Sequence, residues 1–531
     1  MSAPKASIES ILADAKALGD SGNLAGAALL LQRGIAAGQN DAGLHLSLAT
    51  ILRAQMQFPE AVNEYVAAIA LDRTAAEPNY DLATLLMSGG HLTESISFLR
   101  RTIELEPLFP DAYVRLAAVL QIQGNDAEAA HLCRKAIEID PDDSVAHQLL
   151  GGMLVTARSY DQAEHHLKEA VRSAAKAGDP TASHLEGLNS LASLYTLLNR
   201  RSEAVQIFDQ AIAISPLDPK LHENLAWLLL SMGEFARGWK EYEWRWKCEP
   251  LKSEGRDFGI PEWDGSSLEG RTILLHCEQG LGDTIQFCRY APLLKEQGAR
   301  VVMICQPPLR SLMSQLPGVD VLISSGDRVP KFDTHAPLLN IPGKYGTHSN
   351  AQVSANIPYL IAPEKQVQKW RAIFGRRPGR KRVGLVWAGN PGHPNDAARS
   401  ISLAQFGAFR AFAGQIDFYS LQKESAGSQI AISPFAISNL APDLKDFVDT
   451  AAVLMNLDLL ITVDTAAAHL AGALARPVWN LLPVGPDWRW QFDREDSPWY
   501  PTMRLFRQET AGDWTSVIAR VVDELKKFVV R

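Results

Sequence analysis

The chain is expected to be an α-solenoid followed by an α/β region of two lobes built on parallel sheets. Three observations carry this expectation. The prolines closing the segments ELEP and EIDP, Pro107 and Pro141, stand 34 residues apart, and the same step carries Leu82-Ala83 to Leu116-Ala117 to Leu150-Gly151. From about residue 271 the period changes to short apolar runs alternating with amphipathic stretches. That alternation restarts after GRRPGRK (375–381), a segment rich in Pro, Arg and Gly.

The repeat is justified at several offsets together. Ser95, Ala129 and Ala163 follow the same 34-residue step, as do Thr102, Ala136 and Ala170. Small residues there let two helices approach closely, while large ones such as Tyr65, Leu99 and Phe208 fill between them. Counting outward gives units starting near 8, 42, 76, 110 and 144, then 185 and 219 after a seven-residue slip in AKAGDPTAS (175–183). The pattern resembles the tetratricopeptide repeat, a helix-turn-helix unit, over about seven units in residues 8–250. That resemblance implies a superhelix with a groove for a protein segment. Trp239, Tyr242, Trp244 and Trp246 then read as an aromatic cap that packs the last unit on the next domain.

Composition narrows the class. With 531 residues, 46% hydrophobic and 21% charged, the chain is that of a soluble multidomain protein. Its net charge of -8 argues against a dedicated nucleic-acid binder. No stretch has the apolar length of a membrane span, and the first residues lack the pattern of a signal peptide. Five cysteines with no CxxC pair favour a reducing compartment, so a cytoplasmic location is expected.

In the second half, TILLHC (272–277), RVVMICQ (300–306) and VDVLIS (319–324) read as strands, with helices over 284–298 and from Pro308 to about Leu316. RVGLVWAGN (382–390), IDFYSLQK (416–423) and LDLLITV (457–463) read as strands of a second sheet. The implied arrangement is two Rossmann-like lobes, 255–375 and 376–531, with a cleft between them. Ligands of open parallel sheets sit beyond the carboxyl ends of the strands. The turns GLGD, WAGN, SLQK and VDTAAAH all fall there. A strand-to-helix turn such as Asp464-Thr465-Ala466 offers backbone N–H groups and a positive dipole end to a phosphate, and His469 lies one turn further on. Asp464 could equally be only a helix cap and His469 a core residue.

GLGDTIQF (280–287) and DTAAAHLAGAL (464–474) resemble the paired turns of the family nine, heptosyltransferase-like glycosyltransferases, which have the GT-B architecture. Joined to tetratricopeptide repeats, such a module is similar to bacterial protein O-glycosyltransferases, including those that modify flagellin. Ala466 stands where that family more often has Gly, and no lysine matches the one expected near the donor phosphates. The resemblance implies a nucleotide-sugar co-substrate, Asp283 as general base, and a donor site of Gly282, Asn390, Arg399, Lys423, Asp464, Thr465, Ala466 and His469. Arg399 or Lys423 would take the place of the lysine. Asp283 also has the position of a helix cap.

With no Asp-x-Asp after a strand, a metal-independent transfer without further cofactor is expected, and the resemblance implies that it is inverting. The acceptor would be Ser or Thr of a protein held by the repeats, with flagellin the first candidate and a nonulosonic acid such as pseudaminic acid a candidate sugar. Two other functions fit the same residues: a glycan-elongating transferase, and a non-catalytic scaffold with a degenerate transferase fold. The Trp-rich stretch around Trp488, Trp490 and Trp499 reads either as a lid or as packing.

Overall fold

The computed structural model describes residues 7–177, 182–255, 257–278, 280–324, 326–353, 356–423 and 425–530. It divides into two compact bodies, Met1–Leu217 and Asp218–Arg531.

The first body is a tetratricopeptide solenoid of six helix pairs. They are Ile8–Asp20 with Leu24–Ala36, Ala42–Ala54 with Phe58–Leu71, Glu77–Ser88 with Leu92–Leu105, Pro110–Ile122 with Asp126–Ile139, Ser144–Thr156 with Tyr160–Lys176, and Ala182–Leu197 with Arg201–Ile214. Ala61, Ala129, Ala163 and Ala204 are fully buried where paired helices touch. Ser95 and Thr102 occupy equivalent places because each hydroxyl bonds a carbonyl of its own helix, Leu92 O at 2.7 Å and Phe98 O at 2.9 Å. The turn inside each pair has a left-handed residue at one recurring offset: Gly22, Met56, Gly90, Gly124, Arg158 and Asn199, with φ between 59° and 82°. The seven-residue slip is thereby confirmed, since Asn199 falls at the same offset only if its unit starts at 185. The centre of the slip, 178–181, lies outside the described residues.

The seventh pair, Pro219–Met232 and Phe235–Tyr242, opens the second body and repeats the device at Gly233, φ 80°. It packs on the α/β region: Trp239 donates to Thr347 O at 2.8 Å, and its ring meets Trp488 edge-on at 5.3 Å. Trp244 instead stacks on His222 at 3.9 Å. Trp488, Trp490 and Trp499 are all buried.

The first sheet contains β1 (Thr272–His276), β2 (Arg300–Cys305), β3 (Val321–Ser324) and β4 (Thr334–Pro337) in the order β3-β2-β1-β4. The second contains β5 (Lys381–Val386), β6 (Ile416–Ser420), β7 (Ile437–Asn439), β8 (Leu459–Val463), β9 (Val478–Leu482) and β10 (Met503–Arg507) in the order β10-β9-β8-β5-β6-β7. All pairings between these strands are parallel. The order reverses beside β1 in one sheet and between β5 and β8 in the other, the positions at which open parallel sheets bind ligands.

The helix expected over 284–298 is two short helices, Leu281–Phe287 and Tyr290–Glu296. Pro292 has no N–H for the carbonyl of Cys288, so it is accommodated in the first turn of a new helix. The earlier start puts Asp283 inside the first turn. Helix Trp514–Val530 covers the outer face of the second sheet through Val517, Val521 and Leu525.

Candidate functional site

The first turn is held from below. Glu278, just past β1, makes a fully buried bidentate pair with Arg245 of the short turn Glu243–Lys247 that follows the seventh pair, and its Oε1 also accepts Leu339 N at 3.1 Å. Gly280 then starts the helix, and Asp283 Oδ2 accepts Gly280 N at 2.7 Å. Asp283 Oδ1 accepts from Arg489 Nη2. The side chain is only 15% exposed and both oxygens are engaged, so the expected base is a largely buried carboxylate that also serves the helix start. Burial pushes this carboxyl above its ordinary range, against the pull of Arg489.

Arg489 is the hub of the site. Its Nε donates to Gln286 Oε1 at 2.7 Å and its Nη1 to both oxygens of Asp487 at 2.8 Å. The guanidinium lies over Trp488 at 4.5 Å and Phe287 at 5.4 Å. A buried arginine serving two carboxylates is oriented with little freedom left.

The second turn follows β8. Thr465 is extended (φ -145°, ψ 170°) and no side chain caps helix Ala466–Ala473. Inside the turn, Ala468 N and His469 N bond back to Thr465 O. Thr465 Oγ1 lies 3.2 Å from Thr462 Oγ1. Asp464 Oδ2 accepts from Trp490 Nε1 at 2.8 Å, and its backbone carbonyl accepts from Arg399 Nη1 at 3.2 Å. Burial, then the Asp487 charge, raise the Asp464 carboxyl to about 6, while Trp490 and Arg399 oppose the rise. His469 is buried, shares a hydrogen bond with Tyr500 OH at 3.0 Å, and stacks on Trp490 at 5.2 Å. Burial and the nearby Arg489 and Arg289 hold its pKa well below the usual value, so the ring is neutral.

The two turns meet directly. A Cβ on Gly282 would stand 2.8 Å from His469 Cδ2 and 3.7 Å from Ala466 Cα. The 487–490 segment spans both, with Arg489 on Asp283 and Trp490 on Asp464. Arg399 joins them from the loop after β5, where its guanidinium lies against Gly389: a Cβ there would be 2.6 Å from Nη2. Asp396 Oδ1 pairs with Arg399 Nε at 3.3 Å.

Gly282, Asp283, Arg399, Asp464, Thr465, Ala466 and His469 are therefore gathered in one place. Among the described residues, no side-chain hydrogen bond or ion pair ties Asn390 or Lys423 to this cluster. Asn390 Oδ1 accepts Gly392 N at 2.9 Å in its own turn, and Lys423 Nζ donates to Leu444 O at 2.6 Å. Residues that the sequence does not single out include Asp487, Arg489 and Gln422; Trp490, read there only as part of a lid or of packing, is the donor to Asp464. Gln422 Oε1 accepts Trp387 N and Ala388 N, both at 2.9 Å, and so ties the ends of β5 and β6 together. The one available signal for Arg489 was its place between two tryptophans, where a solvated charge is out of character.

Residues 80–144 and 188–220 match tetratricopeptide repeat models. The chain is 27% identical over 329 residues to protein FlbA of Caulobacter vibrioides, a match covering 57% of this chain and 54% of that one. It thus spans about half the length of the curated relative it matches. Among solved structures, MamA is 24% identical over 31% of this chain and 96% of its own, with a TM-score of 0.30. Pseudomonas aeruginosa PilF is 17% identical over 40% and 95%, with a TM-score of 0.35. YrrB, described as a repeat protein with an unusual peptide-binding site, is 21% identical over 36% and 94%, with a TM-score of 0.30. Among the described residues no helix is long and apolar enough to cross a membrane.

Proposed function

We propose that the chain is a protein O-glycosyltransferase, in which the second body moves a sugar from a nucleotide-sugar donor to a Ser or Thr of a protein recruited by the repeats. The observation that carries this reading is the direct meeting of two strand-end turns from separate parallel sheets, Gly282 against His469, with a carboxylate in each. In this reading Asp283 takes the proton of the acceptor hydroxyl as the oxygen attacks the anomeric carbon. The bond from that carbon to the donor phosphate breaks. The departing charge meets the uncapped N-terminus of helix 466–473, the Thr465 hydroxyl and the Arg399 guanidinium. Arg489 aims Asp283 and would release one of its oxygens when the acceptor arrives. The step as written needs no metal. A flagellin is the first acceptor to try, and a nonulosonic acid such as pseudaminic acid the first sugar.

A second reading has its own support. Both oxygens of Asp283 are occupied and His469 is buried and neutral. A scaffold that senses a nucleotide sugar without turning it over would keep such a site closed. One pair of measurements separates the two. The purified chain is screened against nucleotide sugars for protection from thermal unfolding. The protecting compound is then supplied with the acceptor to the full chain and to a version lacking residues 1–180. The transferase reading expects protection in both forms and protein glycosylation only by the full chain. Protection with no transfer or donor hydrolysis in either form favours the sensor, and no protection by any nucleotide sugar removes both.

A further inference from the structure

The segment 365–382 contains eight Lys and Arg and no Asp or Glu, in a chain of net charge -8. Its charges are not equivalent. Arg377 Nη1 and Arg380 Nε both donate to Asp417 Oδ1, at 3.2 and 2.7 Å, which absorbs those two. Lys369 approaches Asp449 at 3.7 Å. Arg371, Arg376 and Arg382 have no carboxylate in ion-pair contact among the described residues. These three line one open depression of about 490 Å³, together with Gln368, Ala372 and Gly375.

The depression is built rather than incidental. Arg382 Nη2 donates to Gly375 O at 2.6 Å and its guanidinium lies over the Phe374 ring at 5.2 Å, so its planar fork is held in place. The backbone N–H of Arg382 is fixed in turn by Asp458 Oδ2 at 2.7 Å. The helix Glu364–Phe374 that carries Arg371 is anchored by Trp370 Nε1, which donates to Asp449 Oδ1 at 2.8 Å. Asp417, Asp449 and Asp458 are engaged by other donors, and Arg371, Arg376 and Arg382 line one depression. Like charges around one depression repel, and an anion with several oxygens relieves that repulsion.

The geometry points to a second anion site, in which Arg371, Arg376 and Arg382 bind a compound carrying two or more phosphate groups. It is independent of the proposed transferase site. Arg382 is the second residue of β5, whereas Trp387 to Asn390 leave the opposite end toward Arg399 and Asp464, and the five steps between Arg382 and Trp387 span roughly 16 Å. The shared chemistry is clustered phosphate, whether of a free polyphosphate compound or of an anionic lipid headgroup.

The test uses the full chain and inorganic tripolyphosphate, measured by calorimetry near physiological salt. The triple variant R371Q/R376Q/R382Q should bind at least ten-fold more weakly, and R376Q alone, a change at an exposed position, should weaken binding several-fold with an unchanged melting temperature. Arg399→Ala with Thr465→Ala should leave this binding intact. Flotation with phosphatidylglycerol vesicles assigns the source: co-flotation lost in the triple variant indicates a headgroup, and no flotation with tripolyphosphate binding retained indicates a free compound. Equal tripolyphosphate affinity in the wild type and both arginine variants, or loss only in the Arg399/Thr465 variant, overturns the site.

Discussion

Gly282 and His469, 187 positions apart in the chain, are in such close contact that a Cβ on the glycine would stand 2.8 Å from the imidazole Cδ2. The ring cannot easily yield, because Tyr500 holds its Nδ1 at 3.0 Å and Trp490 covers one face. Gly282→Ala is therefore expected to cost about 1–3 kcal/mol, as overpacking in a filled site does. It should also weaken nucleotide-sugar binding by separating the turns. Urea melts and calorimetric titration check both, and adding His469→Ala should restore part of the lost stability. A Gly282→Ala chain with unaltered melting and binding would show that the turns can slide freely.

Asp283→Asn should keep the fold, since an Asn oxygen can still accept Gly280 N, and should slow transfer by roughly 10²–10⁴, the scale of general-base loss. Arg489→Met behaves differently. It leaves Asp283 and Asp487 buried without their shared cation and should destabilise the protein by about 3 kcal/mol. Turnover measured beside thermal unfolding distinguishes the two. Normal turnover in Asp283→Asn removes the base assignment.

The Asp464 carboxyl, raised to about 6 from 3.8, gives a signed pH effect. Between those values the folded chain keeps a proton that the unfolded chain has released, so this group's contribution to stability falls as pH rises through that window. Above about 6 the whole penalty applies. Asp464→Asn should remove it, making the variant more stable relative to wild type at pH 7.5 than at pH 4, by up to about 3 kcal/mol. Chemical denaturation of both proteins at the two pH values reads this difference. A gap that is constant with pH would place the Asp464 titration in the ordinary carboxylate range.

In the solenoid, Met56 and Arg158 adopt φ of 62° and 59° where Gly22, Gly90 and Gly124 serve in other units. A side chain is strained there by about 1 kcal/mol, partly offset by the entropy glycine loses on folding. Met56→Gly and Arg158→Gly should each stabilise the first body by a few tenths to 1 kcal/mol. The same change at Met87, within the helix Glu77–Ser88, should destabilise it by a similar amount. Denaturant midpoints decide the sign in each case.

The repeat register was legible because its cause is local. Closely approaching helices demand a small residue every 34 positions, and Ser95 and Thr102 obey that demand by folding their hydroxyls back on their own backbone. The two turns were legible for a similar reason: an apolar strand stopping at Gly-Leu-Gly-Asp or Asp-Thr ends at a sheet edge whatever lies beyond it. Arg489 was not. Nothing near position 489 specifies a bond to Asp283, and an arginine between two tryptophans reads equally as lid or packing. The same holds for Lys423, which faces Leu444 O and is absent from the turn it was expected to serve. The four strands unread in the sequence, β4, β7, β9 and β10, are short or come after loops, and their apolar runs give too little periodicity to declare themselves.

By itself the sequence determined the elements whose signals are short-range: the helix pairs, the parallel strands that run longest, and the residue types at strand ends. Tertiary structure alone decided which side chains became neighbours, that Asp283 is held by an arginine 206 positions away, that His469 is neutral, and that Asp464 retains a proton to about pH 6. The physical reason is that burial and charge pairing depend on distance in space. Chain order constrains that distance only over the few residues of a turn or a helix.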